Sequence, residues 1–340
     1  EIRLSLVGSE MCIRDRSRGI GSKPALVGLL AVYVLAGALA AAATSYPVLA
    51  LARVIMGVSS AACIGLCMTL CAAMVSHQER GRAVSVVLAG LMLSPVAGVP
   101  MTAWIEHHYG WRASSWAVVG LALVCTLLAA MRLPKGEAGG QTRLAEQIRT
   151  LRTRRLWGAY LTSGLIICAT FAAFSYCTPI LIEEVGLAPG QVAPMLALYG
   201  VANLIGNMLV GRVADSHTIS VVGLGLAMMV LVMSVFALAG DNLWLNLSCF
   251  IAIGLTGVAL NPAMVARVMK AAEPGALVNT LHTSVITAGL AFGSWAGGAA
   301  IEAGYGLRAP LWVGAAIALL GLLSVLRPLA SRHTATTPCT

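Results

Sequence analysis

Stretches of about twenty mostly apolar residues recur along the chain, each closed by a short polar segment. A helix of that length crosses the hydrocarbon core of a bilayer. Ten spans are predicted, at 24–44, 48–74, 83–105, 113–131, 157–182, 190–211, 219–239, 243–266, 276–301 and 309–327. Gly, Pro and Ala recur inside them, which lipid-embedded helices tolerate because small residues let neighbouring backbones approach.

The charges then orient the spans. Sixteen Lys and Arg fall on one side: Arg18, Lys23, Arg80, Arg82, Arg132, Lys135, Arg143, Arg149, Arg152, Arg154, Arg155, Arg212, Arg267, Lys270, Arg327 and Arg332. The opposite side holds Arg112 and Arg308, with Glu106, Glu183, Glu184, Asp241 and Glu302. Cytoplasmic loops carry the excess of basic residues, so both ends of the chain are expected in the cytoplasm of a multi-pass inner (cytoplasmic) membrane protein. Composition agrees. With 59% hydrophobic and 10% charged residues, against about 25% charged in soluble domains, the chain is not an ordinary cytosolic enzyme, a nucleic-acid-binding domain or a disordered segment. The net charge of +9 reads as positive-inside loops. Nine Cys without a CxxC pair indicate neither a disulfide framework nor a zinc site.

Residues 1–16, EIRLSLVGSEMCIRDR, are neither signal peptide nor membrane helix. They resemble the in-frame translation of a transposase-type sequencing-library adapter, which would place the first genuine residue at Ser17 and leave an N-terminally truncated chain. The longest polar stretch, 132–156, holds Leu144, Ile148 and Leu151 at helical spacing with Arg between them. It reads as a basic amphipathic helix on the inner membrane face or as a solvated linker. It separates four spans (17–131) from six (157–329), and 330–340 is expected to be a cytoplasmic tail.

An internal repeat accompanies this division. Residues 105–116, IEHHYGWRASSW, match 301–312, IEAGYGLRAPLW, at seven of twelve positions without a gap. Both segments sit on the same side of the membrane, so they are parallel repeats, related by an axis along the membrane normal. The ninth span is the fifth after the linker. The third span should then be the fifth of its own half, and two further spans are expected ahead of the first.

Three segments carry a resemblance to a known family. LARVIMG at 51–57 is similar to an Arg-x-x-x-Gly signature, with Met56 where Gln is usual. AGLMLSPVAGVP at 89–100, followed by GWRA at 110–113, is similar to a Gly/Pro-rich antiporter signature, with Met101, Thr102 and Ala103 in place of its later glycines. GNMLVGRVAD at 206–215 resembles a cytoplasmic G-x-x-x-D loop. Over about 17–329 the chain resembles the major facilitator superfamily, in its drug/proton antiporter branch of arabinose-efflux and chloramphenicol-efflux type permeases. The resemblance implies an all-α polytopic membrane protein with ten of twelve transmembrane helices.

Particular residues follow. Arg53 is the one charged residue well inside a span, where a charge costs at least ~2.5–3.5 kcal/mol. By the resemblance it contacts substrate or modulates a proton-carrying acid; otherwise it snorkels or bonds backbone carbonyls. Pro95, Gly98 and Pro100 bend one helix, and the resemblance makes that bend a gating element. Gly211, Arg212 and Asp215 form the loop signature, in which Asp215 would latch onto a helix N-terminus near 82–83. Tyr176, Thr178, Tyr199, Asn203 and Asn261-Pro262 are polar groups at membrane depth, able to line a central cavity or to bond between helices. His282 and Thr283 are weaker candidates of the same kind. Cys63, Cys67 and Cys71 recur on one helix face and read as packing residues rather than soft-metal ligands. Glu106-His107-His108 has metal-ligand chemistry but adjacent residues rarely converge.

The expected activity is secondary transport: proton-coupled efflux of a small organic solute, sugar-like or drug-like, by alternating access. A facilitator or symporter of the same fold is the alternative, since no Asp or Glu lies within the membrane core. A membrane sensor would need a soluble domain, and a membrane enzyme would need a polar cluster. Neither enzyme chemistry nor a cofactor or metal is indicated. Solute, protons and lipid are the expected partners, with no nucleic acid, and the protein is expected to be a monomer.

Overall fold

The computed structural model describes residues 22–74, 90, 93–133, 153–214, 216–272 and 276–333. Every regular element among them is helical. The helices are α1 (Ser22–Ala42), α2 (Tyr46–Ala73), α3 (Val99–Arg132), α4 (Arg154–Phe174), α5 (Pro189–Val213), α6 (Thr218–Leu238), α7 (Leu243–Thr256), α8 (Asn261–Ala271), α9 (Ala276–Ala300) and α10 (Ala309–His333). Nine stretches among the described residues are long and apolar enough to cross a membrane. Nine replace ten because the helix assignment of α3 runs through two predicted spans. Gly110, at φ 83° and ψ 164°, divides them. The helix predicted within the linker lies mostly outside the described residues, as does the start of the third span.

The chain forms two compact units, one of residues 1–94 and 98–141, the other of 95–97 and 142–340. In the first, α1 packs along α2 and α3. Leu26, Cys63 and Leu70 form a buried cluster, with Leu66 and Cys67 against it. Of the three cysteines predicted to pack, Cys63 and Cys67 do so here, and Cys71 is half-buried.

In the second unit α4 runs along α9 and α10, α5 along α7, and α6 along α10. Glycines set the closest approaches. A Cβ at Gly289 would stand 2.5 Å from the Gly164 carbonyl oxygen and one at Gly297 2.7 Å from that of Ala172. Leu156, Ala159, Tyr160, Val268 and Val278 close the end of the bundle near the start of α4. Between α7 and α8 the span breaks into a 3-10 turn, Val258–Leu260. Pro262 lacks an amide hydrogen and crowds the carbonyl four residues back, so the turn before it tightens.

The two units repeat one arrangement at a constant shift of 196 positions, which carries Ser22 to Thr218 and Gly110 to Gly306. Both α1 and α6 have 21 residues. Gly110 and Gly306 share φ 83°, a left-handed backbone that glycine adopts without steric cost. Two residues on, Arg112 donates to the Ala43 carbonyl at 3.1 Å, and Arg308 donates to the Gly240 carbonyl at 2.7 Å. Each arginine thus caps the C-terminal end of the matching helix, α1 or α6. Tyr109 and Tyr305, paired by the same shift, are both exposed, as are Trp116 and Trp312. Such residues favour the membrane–water interface.

Candidate functional site

Arg53 lies two turns into α2 and opens onto a cavity of about 240 Å³ within the first unit. The wall is partly polar: Tyr33 from α1, with Thr102, Ser114 and Ser115 from α3, beside Met56 and Val118. The hydroxyls bond largely to their own helices, Thr102 to the Val99 carbonyl at 2.9 Å and Ser115 to the Trp111 carbonyl at 2.9 Å. Among the described residues no acceptor or carboxylate pairs with Arg53. The site therefore presents a fixed positive charge, at membrane depth, to a space large enough for several solute atoms. Sequence reasoning singled out Arg53 but not the hydroxyls around it, because Ser and Thr are unremarkable in membrane helices until their faces are known.

The predicted bend takes the form of a π-helical turn, Ser94–Gly98, that leads into α3. The Val99 amide reaches back to the Ser94 carbonyl, five residues away. Pro95 and Pro100 both lack an amide donor, which favours the wider turn over a regular one. A Cβ at Gly98 would lie 3.3 Å from Ser94 Oγ, tight but against a movable side chain.

The second unit does not gather its predicted residues into one place. Tyr176 Oη donates to the Ser294 carbonyl at 2.8 Å, beside a Ser175–Ser294 hydroxyl pair at 2.6 Å. This small polar group on α4 and α9 includes two serines the sequence did not flag. Asn261 is half-buried at the start of α8. Tyr199 is buried, its ring stacked between Phe174 at 4.8 Å and Phe250 at 5.2 Å. The void beside it holds only about 10 Å³, and Asn203, one turn along, is also buried. These two residues stand among packed side chains, whereas Tyr176 and Asn261 keep partial access. Thr178 is exposed.

His282 is buried as well. Its Nε2 pairs with Ser163 Oγ at 3.0 Å and its ring stacks on Tyr160, which donates to the Val278 carbonyl at 2.7 Å. Thr283 is exposed and donates to the Asn279 carbonyl at 3.0 Å. The cluster joins α4 to α9 and leaves His282 a packing role. Of the loop signature, Gly211 and Arg212 are exposed at the end of α5. Asp215 and the residues proposed to face it, 80–86, lie outside the described residues. In the outer segment, His108 bonds the Trp104 carbonyl through Nδ1 at 2.8 Å, and His107 meets it edge-on. No third ligand joins these two rings among the described residues.

The Major Facilitator Superfamily model matches residues 16–279 and 179–338. The chain is 32% identical over 305 residues to the inner membrane transport protein YdhP of Escherichia coli strain K12, covering 89% of this chain and 78% of that protein. It is 28% identical over 306 residues to the chloramphenicol resistance protein of Streptomyces lividans, covering 88% and 78% respectively. Among solved structures, the human organic anion transporter MFSD10 (TETRAN) aligns with a TM-score of 0.63 at 16% identity, covering 91% of this chain and 78% of that one. The Escherichia coli fucose:proton symporter FucP aligns with a TM-score of 0.57 at 16% identity, covering 94% and 86%. Both structural likenesses concern the fold.

Proposed function

The chain belongs to the major facilitator superfamily, and from that premise we propose that it exports a small organic solute, sugar-like or drug-like, across the bacterial inner membrane in exchange for protons. The observation that carries this reading is Arg53, a guanidinium at membrane depth without a paired acid among the described residues. A cation facing a partly polar cavity attracts an anionic or dipolar group and lowers the proton affinity of an acid brought near it. The likeness to the Streptomyces chloramphenicol resistance protein supports the efflux direction, since export of a drug confers resistance to it.

In this reading Arg53 is the coupling residue. Tyr176 and Asn261 contact solute, with Tyr199 and Asn203 holding the wall behind them. Gly98 and Pro100 shape the gating bend. Gly211, Arg212 and Asp215 form the inner latch, both chain ends lie in the cytoplasm, and the unit of function is the monomer.

Flux into inside-out vesicles after a pH jump, with a panel of neutral, anionic and cationic solutes, tests the proposal. Arg53→Ala should abolish proton-linked flux from properly inserted protein, and Arg53→Lys should retain part of it. Wild-type flux from the alanine variant would overturn the assignment. A second reading, a facilitator of the same fold, is favoured by one observation: every Asp and Glu sits at a span end or in a loop. Flux indifferent to the pH jump would decide for it.

A further inference from the structure

Arg267 stands apart from the other basic residues of the second unit. Along α8 the buried positions are Ala263, Met264, Ala266 and Val268, while Val265 and Met269 are exposed. At 3.6 residues per turn, Arg267 falls in the middle of the buried face, one turn after Ala263 and Met264. Its Nη1 is buried and has no hydrogen-bond partner among the described residues. The side chain as a whole is half-buried, so the niche stays open on one side. Arg154, Arg155, Arg212 and Lys270, at the same end of the bundle, are exposed. The described carboxylates of this unit, Glu183, Glu184, Asp241 and Glu302, lie at the other ends of the spans, and Asp215 and Glu273 lie outside the described residues.

A second cation stands beside the first. Lys270 Nζ donates to Thr218 Oγ1 at 2.8 Å, and Thr218, buried at the start of α6, donates in turn to the Ala214 carbonyl. Residues three apart are neighbours on a helix surface, so this contact keeps the ammonium next to the guanidinium. The shift of 196 positions that relates the two units puts Cys71 and Met74 where Arg267 and Lys270 stand. The shared architecture therefore requires neither charge.

We propose that Arg267 and Lys270 hold the phosphate group of an anionic phospholipid at this end of the second unit. A buried guanidinium nitrogen without an acceptor bears the full cost of its lost hydration, and two like charges one turn apart repel. One phosphate removes both costs, because it accepts from the planar guanidinium through two oxygens and from the ammonium as a point charge. The position selects a lipid over a free anion. Both cations close a spanning stretch, Leu243–Ala271, at the level of the headgroups, and basic pockets between membrane helices take anionic headgroups. Ile219, next to Thr218, and Met269, next to Lys270, are both exposed and give acyl chains a surface to follow. This site is separate from the Arg53 cavity and holds whether or not the chain transports.

The test uses the full chain purified in a maltoside detergent, with phosphatidylglycerol, phosphatidylcholine and inorganic phosphate as probes. Bound lipid is counted by native mass spectrometry, and the unfolding midpoint is read in parallel. Phosphatidylglycerol should bind about tenfold or more tightly than phosphatidylcholine and should raise the midpoint. Arg267→Gln and Lys270→Gln should each weaken its binding about tenfold, the loss of one charge-assisted contact. Arg155→Gln, which removes an exposed cation at the same end, should leave it unchanged. Lys270 is exposed, so its variant decides the matter even where Arg267→Gln does not fold. Equal binding of the two lipids overturns the site. So does an equal loss with Arg155→Gln, which would mean general attraction to a basic surface. Inorganic phosphate that raises the midpoint as far as the lipid, through the same two residues, would overturn the lipid as occupant in favour of a free anion. No readout involves flux, so failure here leaves the transport reading untouched.

Discussion

At the scale of single residues, the two outer arginines illustrate what sequence and structure each contribute. Their register in the repeat is visible in the letters, but their acceptors are main-chain carbonyls, which leave no mark in a sequence. The last carbonyls of a helix have no intrahelical donor, and a cation there also meets the negative end of the helix dipole. Arg308 supplies a planar fork of donors: Nη2 to Gly240 at 2.7 Å, Nη1 to Phe236 at 3.4 Å, and Nε to Glu184 at 3.0 Å. The Glu184 pairing is the weaker part, because the two side chains are 19% and 35% exposed and exposed ion pairs contribute about 0–1 kcal/mol. Arg308→Ala should therefore cost about 2–3 kcal/mol, and Glu184→Gln less than about 1 kcal/mol. Thermal unfolding in detergent would separate the two, and equal losses would mean that the ion pair rather than the carbonyl cap holds the corner. Arg308→Lys, a single point donor in place of a fork, should recover less than half.

At the scale of elements, the apolar pattern located the membrane helices well, because lipid requires every backbone amide to be satisfied within the helix. It marked the bend at 95–100 but missed the break at Gly257, which depends on neighbours. Asn261-Pro262 stood out in the sequence, yet the helix ends at Thr256, before Gly257. A Cβ at Gly257 would stand 2.7 Å from the Thr170 side chain, so α4 fixes where the break can fall. Glycines likewise differ by what faces them. At Gly293 an added Cβ would meet the backbone carbonyl of Cys168, which cannot move without shifting α4, whereas Gly223 has nothing within 4 Å. Gly293→Ala should destabilise by about 1–3 kcal/mol through overpacking. Gly223→Ala, in the open interior of α6, should stabilise by about 0.5–1 kcal/mol. The folded fraction recovered from detergent at increasing temperature would check both, and a tolerated alanine at 293 would show that α4 and α9 are not held at that separation.

At the scale of the whole molecule, the candidate site was less legible than the fold for a physical reason. A polar side chain at membrane depth looks the same in a sequence whether it lines a path or joins two helices. Tyr199 and Asn203 proved to be packed, while Ser114 and Ser115, unmarked in the sequence, line the cavity onto which Arg53 opens. Charge placement is free of that ambiguity, because it acts through the membrane rather than through contacts. The two basic residues on the sparse side, Arg112 and Arg308, are both bound to helix-end carbonyls. Their presence there follows from capping and does not weaken the proposed orientation. That orientation makes a direct prediction. In intact cells, Asp241→Cys and Glu106→Cys should react with a membrane-impermeant maleimide added outside. Arg154→Cys, at the exposed start of α4, should react only after the membrane is opened. Replacing Arg112 and Arg308 together by Gln should leave this pattern unchanged, since sixteen basic residues on the other side still dominate. Labelling of Arg154→Cys from outside would invert the molecule, and with it the direction of export proposed above.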